Sequence, residues 1–191
     1  MEMVKKRKKF LLYHSFNILD YINLKNKKYK ESNNNKILQY KKFYIHQFYI
    51  DNPFPNSNDI IRFRSIFNTF NNDSKYIRSN ITYKKDIKKS VNNFISQERY
   101  FFNFKNTKKD YLINKTRYVF PNEYKNISKI FIDIYDFFEE TYILEIEYIE
   151  KFKHEYIPCW ISPYIFKDVT YENKFKSEEM ATYDNTNICF I

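Results

Sequence analysis

Ile60-Ile61-Arg62-Phe63-Arg64-Ser65-Ile66 reads as a β-strand with two unlike faces. Successive strand side chains point to opposite sides, so Arg62 and Arg64 share one face while Ile61 and Phe63 take the other. The same spacing returns along the chain. Asn114-Lys115-Thr116-Arg117-Tyr118 puts Lys115 and Arg117 together, and Ile143-Leu144-Glu145-Ile146-Glu147-Tyr148 sets Glu145 and Glu147 against Leu144, Ile146 and Tyr148. Lys84 shares a face with Thr82, Asp133 stands between Ile132 and Ile134, and Asp168 precedes Val169. Taken singly, each strand fits the ordinary half-buried antiparallel strand with a solvated polar face. The set is harder to fit. Two like charges about 8 Å apart cost roughly 2 kcal/mol at an effective dielectric of about 20. Several such pairs on a shared face call for counter-charges: opposing carboxylates, a metal ion or a polyanionic ligand.

Around these triplets, the chain after Lys42 is a series of short runs rich in Tyr, Phe and Ile. They span 43–50, 60–67, 76–84, 94–104, 111–120, 129–137, 142–150 and 165–171, with Asn, Asp, Pro and Ser between them. Such a series predicts an antiparallel barrel or sandwich. A first strand is expected over 4–13. A helix is expected over 15–31, capped by Ser15, with Phe16, Leu19, Ile22 and Leu24 at near-helical spacing. A short helix is expected within 174–182, opened by Ser177-Glu178-Glu179, and the tail 182–191 is expected to fray. There is no glycine, so turns that need positive φ fall to Asn or Asp. Asn33-Asn34-Asn35, Asn71-Asn72-Asp73 and Asn92-Asn93 are the candidates. The fold class is β-rich α+β with a few peripheral helices. No repeat or interdomain linker is visible, so 1–191 is read as one domain.

Composition narrows the classes of function. Of 191 residues, 43% are apolar and 21% aromatic, which excludes disorder along the whole chain. Mean hydropathy is −0.72, and no uncharged apolar run approaches the roughly 18 residues of a membrane span. The basic residues of 5–9 precede only Phe10-Leu11-Leu12-Tyr13, shorter than a signal peptide needs. Cys159 and Cys189 give neither a disulfide framework nor metal spacing. The expectation is a cytoplasmic protein with no membrane association and no stable protein partner. The net charge of +10 suggests an anionic partner, although Lys, Asn, Ile, Tyr and Phe are all encoded by A/T-rich codons, which also enriches surface lysine. His14, His46 and His154 show no ligand spacing, and Trp160 reads as a core or rim anchor.

The order of motifs carries further meaning. It runs Gln47-Phe48-Tyr49, Arg62-Phe63-Arg64, Thr82-Tyr83-Lys84, Glu98, Lys115-Thr116-Arg117-Tyr118, Ile132-Asp133-Ile134-Tyr135 and Leu144-Glu145-Ile146-Glu147. Asp168-Val169-Thr170, Lys174-Phe175 and Met180-Ala181 close it. From about Tyr44 to Ala181 (44–181), this order resembles the CYTH superfamily, the triphosphate tunnel metalloenzymes; the stretch from Lys115 to Ala181 is the most specific part.

The resemblance implies an eight-stranded antiparallel closed barrel with charged side chains pointing into a tunnel. Lys9, Arg62, Arg64, Lys84, Lys115 and Arg117 would bind phosphate, with Glu145, Glu147 and Asp133 holding Mg²⁺ or Mn²⁺. Glu98 or Asp168 would orient the attacking water in a metal-dependent triphosphatase. Its ligand would be a triphosphate-containing small molecule, such as tripolyphosphate, thiamine triphosphate or a nucleotide, or an RNA 5′ end. The first strand departs from the pattern. Aligned on Lys9-Phe10, Lys5 and Arg7 stand where the family has two metal-binding glutamates and join the phosphate-binding set. Shifted by three, Glu2 and Lys6 fit but Val4 takes the second glutamate position. The first alignment gives eight cations against five carboxylates, a surplus close to the roughly four charges of a metal-free triphosphate. A binder that sequesters nucleotides or polyphosphate without turnover is therefore the alternative, and a basic nucleic-acid-binding module a more distant one.

Overall fold

The computed structural model describes residues 6–13, 15–31, 40–50, 60–70, 73–85, 89–106, 112–121, 126–137, 141–149, 151 and 153–182. The strands are β1 (Lys6–Leu12), β2 (Lys41–Ile50), β3 (Ile60–Phe70), β4 (Asp73–Lys85), β5 (Lys89–Ile95), β6 (Leu112–Phe120), β7 (Ile127–Tyr135), β8 (Tyr142–Tyr148) and β9 (Ile165–Asp168). The helices are α1 (Ile18–Glu31), α2 (Gln97–Lys105) and α3 (Ser177–Thr182). The chain is β-rich, with one nine-stranded antiparallel sheet in the order β5-β4-β3-β2-β6-β7-β8-β1-β9. Among the described residues no pairing joins β5 to β9, so the sheet runs as nine strands without the closure expected of an eight-stranded barrel.

The chain divides into two compact units. The first comprises residues 1–41, 118–134 and 140–170. Alternation along its strands buries Phe10 and Leu12 of β1, Ile130 and Ile132 of β7, and Leu144 and Ile146 of β8 in one apolar cluster. Phe16, Ile18 and Ile22, at the start of α1, close over the same cluster. The cap of α1 is Asn17, not Ser15: Asn17 Oδ1 accepts from the backbone N–H groups of Leu19 and Asp20 at 3.0 and 3.2 Å. A cap of this kind contributes about 1 kcal/mol. Trp160 anchors the cluster as expected, stacked on Tyr21 with ring centroids 4.5 Å apart.

The second unit comprises residues 42–117, 135–139 and 171–191. Phe48 of β2 and Phe63 of β3 stack at 4.9 Å, and α2 lays the fully buried Tyr100 and the half-buried Phe104 on them. This helix replaces part of the strand expected over 94–104. Ser96 Oγ caps it by accepting from Arg99 N–H at 3.2 Å, and Glu98 sits in the first turn, where the helix dipole favours an anion. Asn92-Asn93 lies within β5 rather than in a turn. Asn33-Asn34-Asn35, Asn71 and Asn72 fall outside the described residues. The short helix expected near the end is α3, and 183–191 are likewise outside.

One polar contact is set within the second core. The Tyr100 hydroxyl donates to the His46 backbone carbonyl at 2.9 Å and also meets the His46 ring at Nδ1. With its proton already given to the carbonyl, that hydroxyl is the acceptor for an Nδ1–H tautomer of His46. Burial lowers the His46 pKa from its ordinary 6.5. A ring that resists protonation when folded stabilises the fold fully above about pH 6.5, and that contribution is lost as the pH falls through the lower folded value. In an NMR pH titration, the His46 ring should have its midpoint below 6.5. Urea unfolding should show a drop in stability across the same window, flattened in His46→Leu.

Candidate functional site

The strand face opposite that second core carries the basic triplets. Register pairs Arg64 with Gln47 and Arg62 with Tyr49 across β3 and β2, and Arg62 with Thr82 across β3 and β4. A merely solvated polar face would be exposed, yet Gln47 is 0%, Thr82 1% and Lys115 2% exposed, with Arg62, Arg64 and Arg117 half-buried. The side chains hold one another. Arg64 Nε donates to Gln47 Oε1 at 3.1 Å, and Gln47 Nε2 donates to the Tyr49 hydroxyl at 3.0 Å. Arg62 Nη2 donates to Thr82 Oγ1 at 3.1 Å, and that hydroxyl donates to Asn92 Oδ1 at 2.6 Å. Lys115 Nζ donates to the Tyr135 hydroxyl at 3.2 Å and lies 4.9 Å from the centroid of the same ring. Arg62 Nε–H is buried with no partner among the described residues. A buried donor left in this way costs about 1–3 kcal/mol, more for a charged group.

The first unit has its own charged face. Across β7, β8 and β1 the register forms rows: Lys129, Glu147 and Arg7, then Phe131, Glu145 and Lys9. Asp133 follows, paired with Ile143. Glu145 and Glu147 are 4% and 6% exposed, and Asp133 is 1%. Arg7 Nη2 meets Glu147 Oε1 at 2.7 Å and Arg7 Nη1 meets Glu145 Oε1 at 3.8 Å. Lys9 Nζ approaches Glu145 Oε1 at 3.7 Å. The same guanidinium therefore spans both glutamates.

The remaining sequence-predicted residues lie elsewhere. Asp168 belongs to a clasp on β1. Its carboxylate meets Lys8 Nζ at 2.6 Å and accepts from Thr170 N–H at 2.9 Å, while Lys9 N–H donates to Thr170 Oγ1 at 3.0 Å. Lys8 alternates with Arg7 and Lys9, so this clasp engages the other side of β1. Glu98 is exposed on α2 and lines a surface pocket of about 400 Å³ with Gln97, Phe101, Phe102 and Lys105. Lys84 pairs through its backbone with Ile60; its side chain, and all of Lys5, lie outside what the structure describes. Tyr135 and Asn92 were missed as members of the basic face. Both are uncharged, and the charge pattern that marks the other members says nothing about them.

Glu145 and Glu147 are the natural donors for a divalent cation, and their surroundings do not fit one. Mg²⁺ and Mn²⁺ favour about six oxygen ligands. Among the described residues no His, Cys, Asp or Glu completes a metal-binding group with them. Arg7 already takes the Glu147 oxygen. A dication on that oxygen would be repelled by a guanidinium about 4 Å away by roughly 8 kcal/mol at an effective dielectric near 20, before screening of the half-exposed arginine.

Compared with family models and with curated proteins, the sequence matches none. Its structure does have solved counterparts. The crystal structure of the inorganic triphosphatase NE1496 superposes at a TM-score of 0.59 and 14% identity, covering 96% of this chain and 97% of that one. The likeness is one of fold. A second structure, described as the hypothetical protein NE1496, gives a TM-score of 0.57 at 14% identity over 94% of this chain and 99% of that one. PH1819 from Pyrococcus horikoshii OT3 gives 0.45 at 19% identity, covering 83% and 85%. No described helix is long and apolar enough to cross a membrane.

The Asp168 clasp makes a pH-dependent prediction. Burial alone would raise this carboxyl, but hydrogen bonds from Lys8 and Thr170 outweigh it and hold the pKa below the ordinary 3.8. A depressed carboxyl stabilises the fold above its unfolded value, and that contribution is lost as pH falls through the folded value. Asp168→Asn should therefore lower stability at neutral pH and reduce its dependence on acid, as measured by urea unfolding at pH 7 and below 4.

Proposed function

We propose that this chain binds a triphosphate-class anion on the basic face of its second unit. The observation that carries the reading is the buried, unanswered Nε–H of Arg62 beside Arg64. Phosphate oxygens suit guanidinium forks, and they offer the acceptor that no described residue supplies. Thr82 and Asn92 hold Arg62 in place, and Gln47 holds Arg64, so little side-chain freedom remains to be lost on binding. Lys115 and Arg117 supply further positive charge from β6, and Lys84 is a further candidate. Tripolyphosphate, thiamine triphosphate, nucleotides and triphosphorylated RNA ends all present the required group.

Hydrolysis is the second reading, and likeness to an inorganic triphosphatase over nearly the whole of both chains favours it. In that reading the arginines and Lys115 orient the chain of phosphates and stabilise charge on the transferring phosphoryl group. Glu98 or Asp168 would orient the water. Glu98 stands exposed in the first turn of α2, and Asp168 is clasped by Lys8 and Thr170. The binding reading needs neither of them.

Calorimetry with tripolyphosphate tests the proposal. Arg62→Ala should weaken binding about 10- to 100-fold, the loss of one or two charge-assisted hydrogen bonds. The exposed Lys41→Ala should bind like the wild type. Equal binding by Arg62→Ala and wild type would sink the reading. Phosphate release by the wild type that is lost in Arg62→Ala would establish turnover on this face.

A further inference from the structure

We propose that Arg7 is a built-in counter-cation for Glu145 and Glu147, so that this chain works without a divalent metal. The inference rests on the binding reading above for its ligand, but its core concerns the first unit alone. Two carboxylates spaced two residues apart on β8 face the same way, nearly free of solvent. Left alone they would repel one another and remain desolvated, which is the arrangement that recruits a dication. Here the opposing strand supplies the positive charge. Arg7 sits directly across from Glu147 in the register and reaches both glutamates, and Lys9 sits across from Glu145. Two cations thus face two anions on adjoining strands.

The geometry explains why an arginine suits the position. A planar guanidinium presents several N–H donors, so a single side chain can bridge two carboxylates that a lysine would serve one at a time. Its positive charge is permanent at any working pH. Its side chain is 56% exposed while the glutamates are 5% and 8%, so the guanidinium is the solvent-facing member of the three. The consequence is chemical. The carboxylate pair is a closed, neutralised structural element, and the anion is bound by side chains alone.

Two measurements on the full chain separate this inference from the binding reading. The first uses the metal alone. Electron paramagnetic resonance with Mn²⁺ should show no binding by wild type beyond weak surface association. Arg7→Glu, which removes the cation and adds a third carboxylate, should bind Mn²⁺ at least about tenfold more tightly. Should that variant fail to fold, Arg7→Gln removes the charge without adding one and should still bind Mn²⁺ more tightly than wild type. The second measurement is tripolyphosphate binding in the presence of a chelator, expected to survive in the wild type. Tight Mn²⁺ binding by the wild type, or variants no better than wild type, would overturn the inference. So would tripolyphosphate binding that appears only after Mg²⁺ or Mn²⁺ is added, an outcome that leaves the binding reading standing. No tripolyphosphate binding under either condition would instead remove the binding reading, and the Mn²⁺ result would still decide the role of Arg7.

Discussion

A charge taken out of water must be answered by another charge or by hydrogen bonds, and this chain buries several of them on strand faces. Lys115, Asp133, Glu145 and Glu147 are all nearly inaccessible. Each lost hydration worth several kcal/mol, and none would persist in this state without compensation. The opposite faces of the same strands carry the apolar clusters, so the sheet cannot turn its charges outward without exposing Phe63, Leu144 and Ile146. Alternation with a period of two ties the two faces together: fixing the core fixes the charges.

The two units answer the constraint differently. In the first, answering groups are internal: Arg7 and Lys9 lie across from the glutamates they neutralise. In the second, Arg64, Arg62 and Lys115 donate to Gln47, Thr82 and the Tyr135 hydroxyl, which hold the basic side chains in place.

Much of this was legible in the sequence, because it is local. The triplets at 62–64, 115–117 and 145–147 gave both the strands and the side each residue takes, since alternation needs only neighbours in sequence. What was missed has physical reasons as well. The run 94–104 is aromatic enough to read as a strand, but Ser96 as a cap, Glu98 in the first turn and the four-residue spacing of Tyr100 and Phe104 belong to a helix. The cap of α1 falls on Asn17 because that side chain reaches two N–H groups, a choice composition does not reveal. The partner of Arg7 was not legible at all. It depends on the pairing of β1 with β8, strands far apart in sequence whose register is set by tertiary packing. From sequence, Arg7 counted simply as one more cation for phosphate; in the fold it is engaged by two glutamates.

The central claim is that the β3 face binds an anion through Arg62, and the Nε–H of Arg62 reports on it directly. In ¹H–¹⁵N spectra of the arginine side chains, titration with tripolyphosphate should shift and sharpen the Arg62 Hε resonance, in step with that of Arg64, as phosphate oxygens close the open hydrogen bond. If the anion instead perturbed only exposed side chains such as Lys41 and Arg99 and left Arg62 Hε unmoved, the claim would be contradicted.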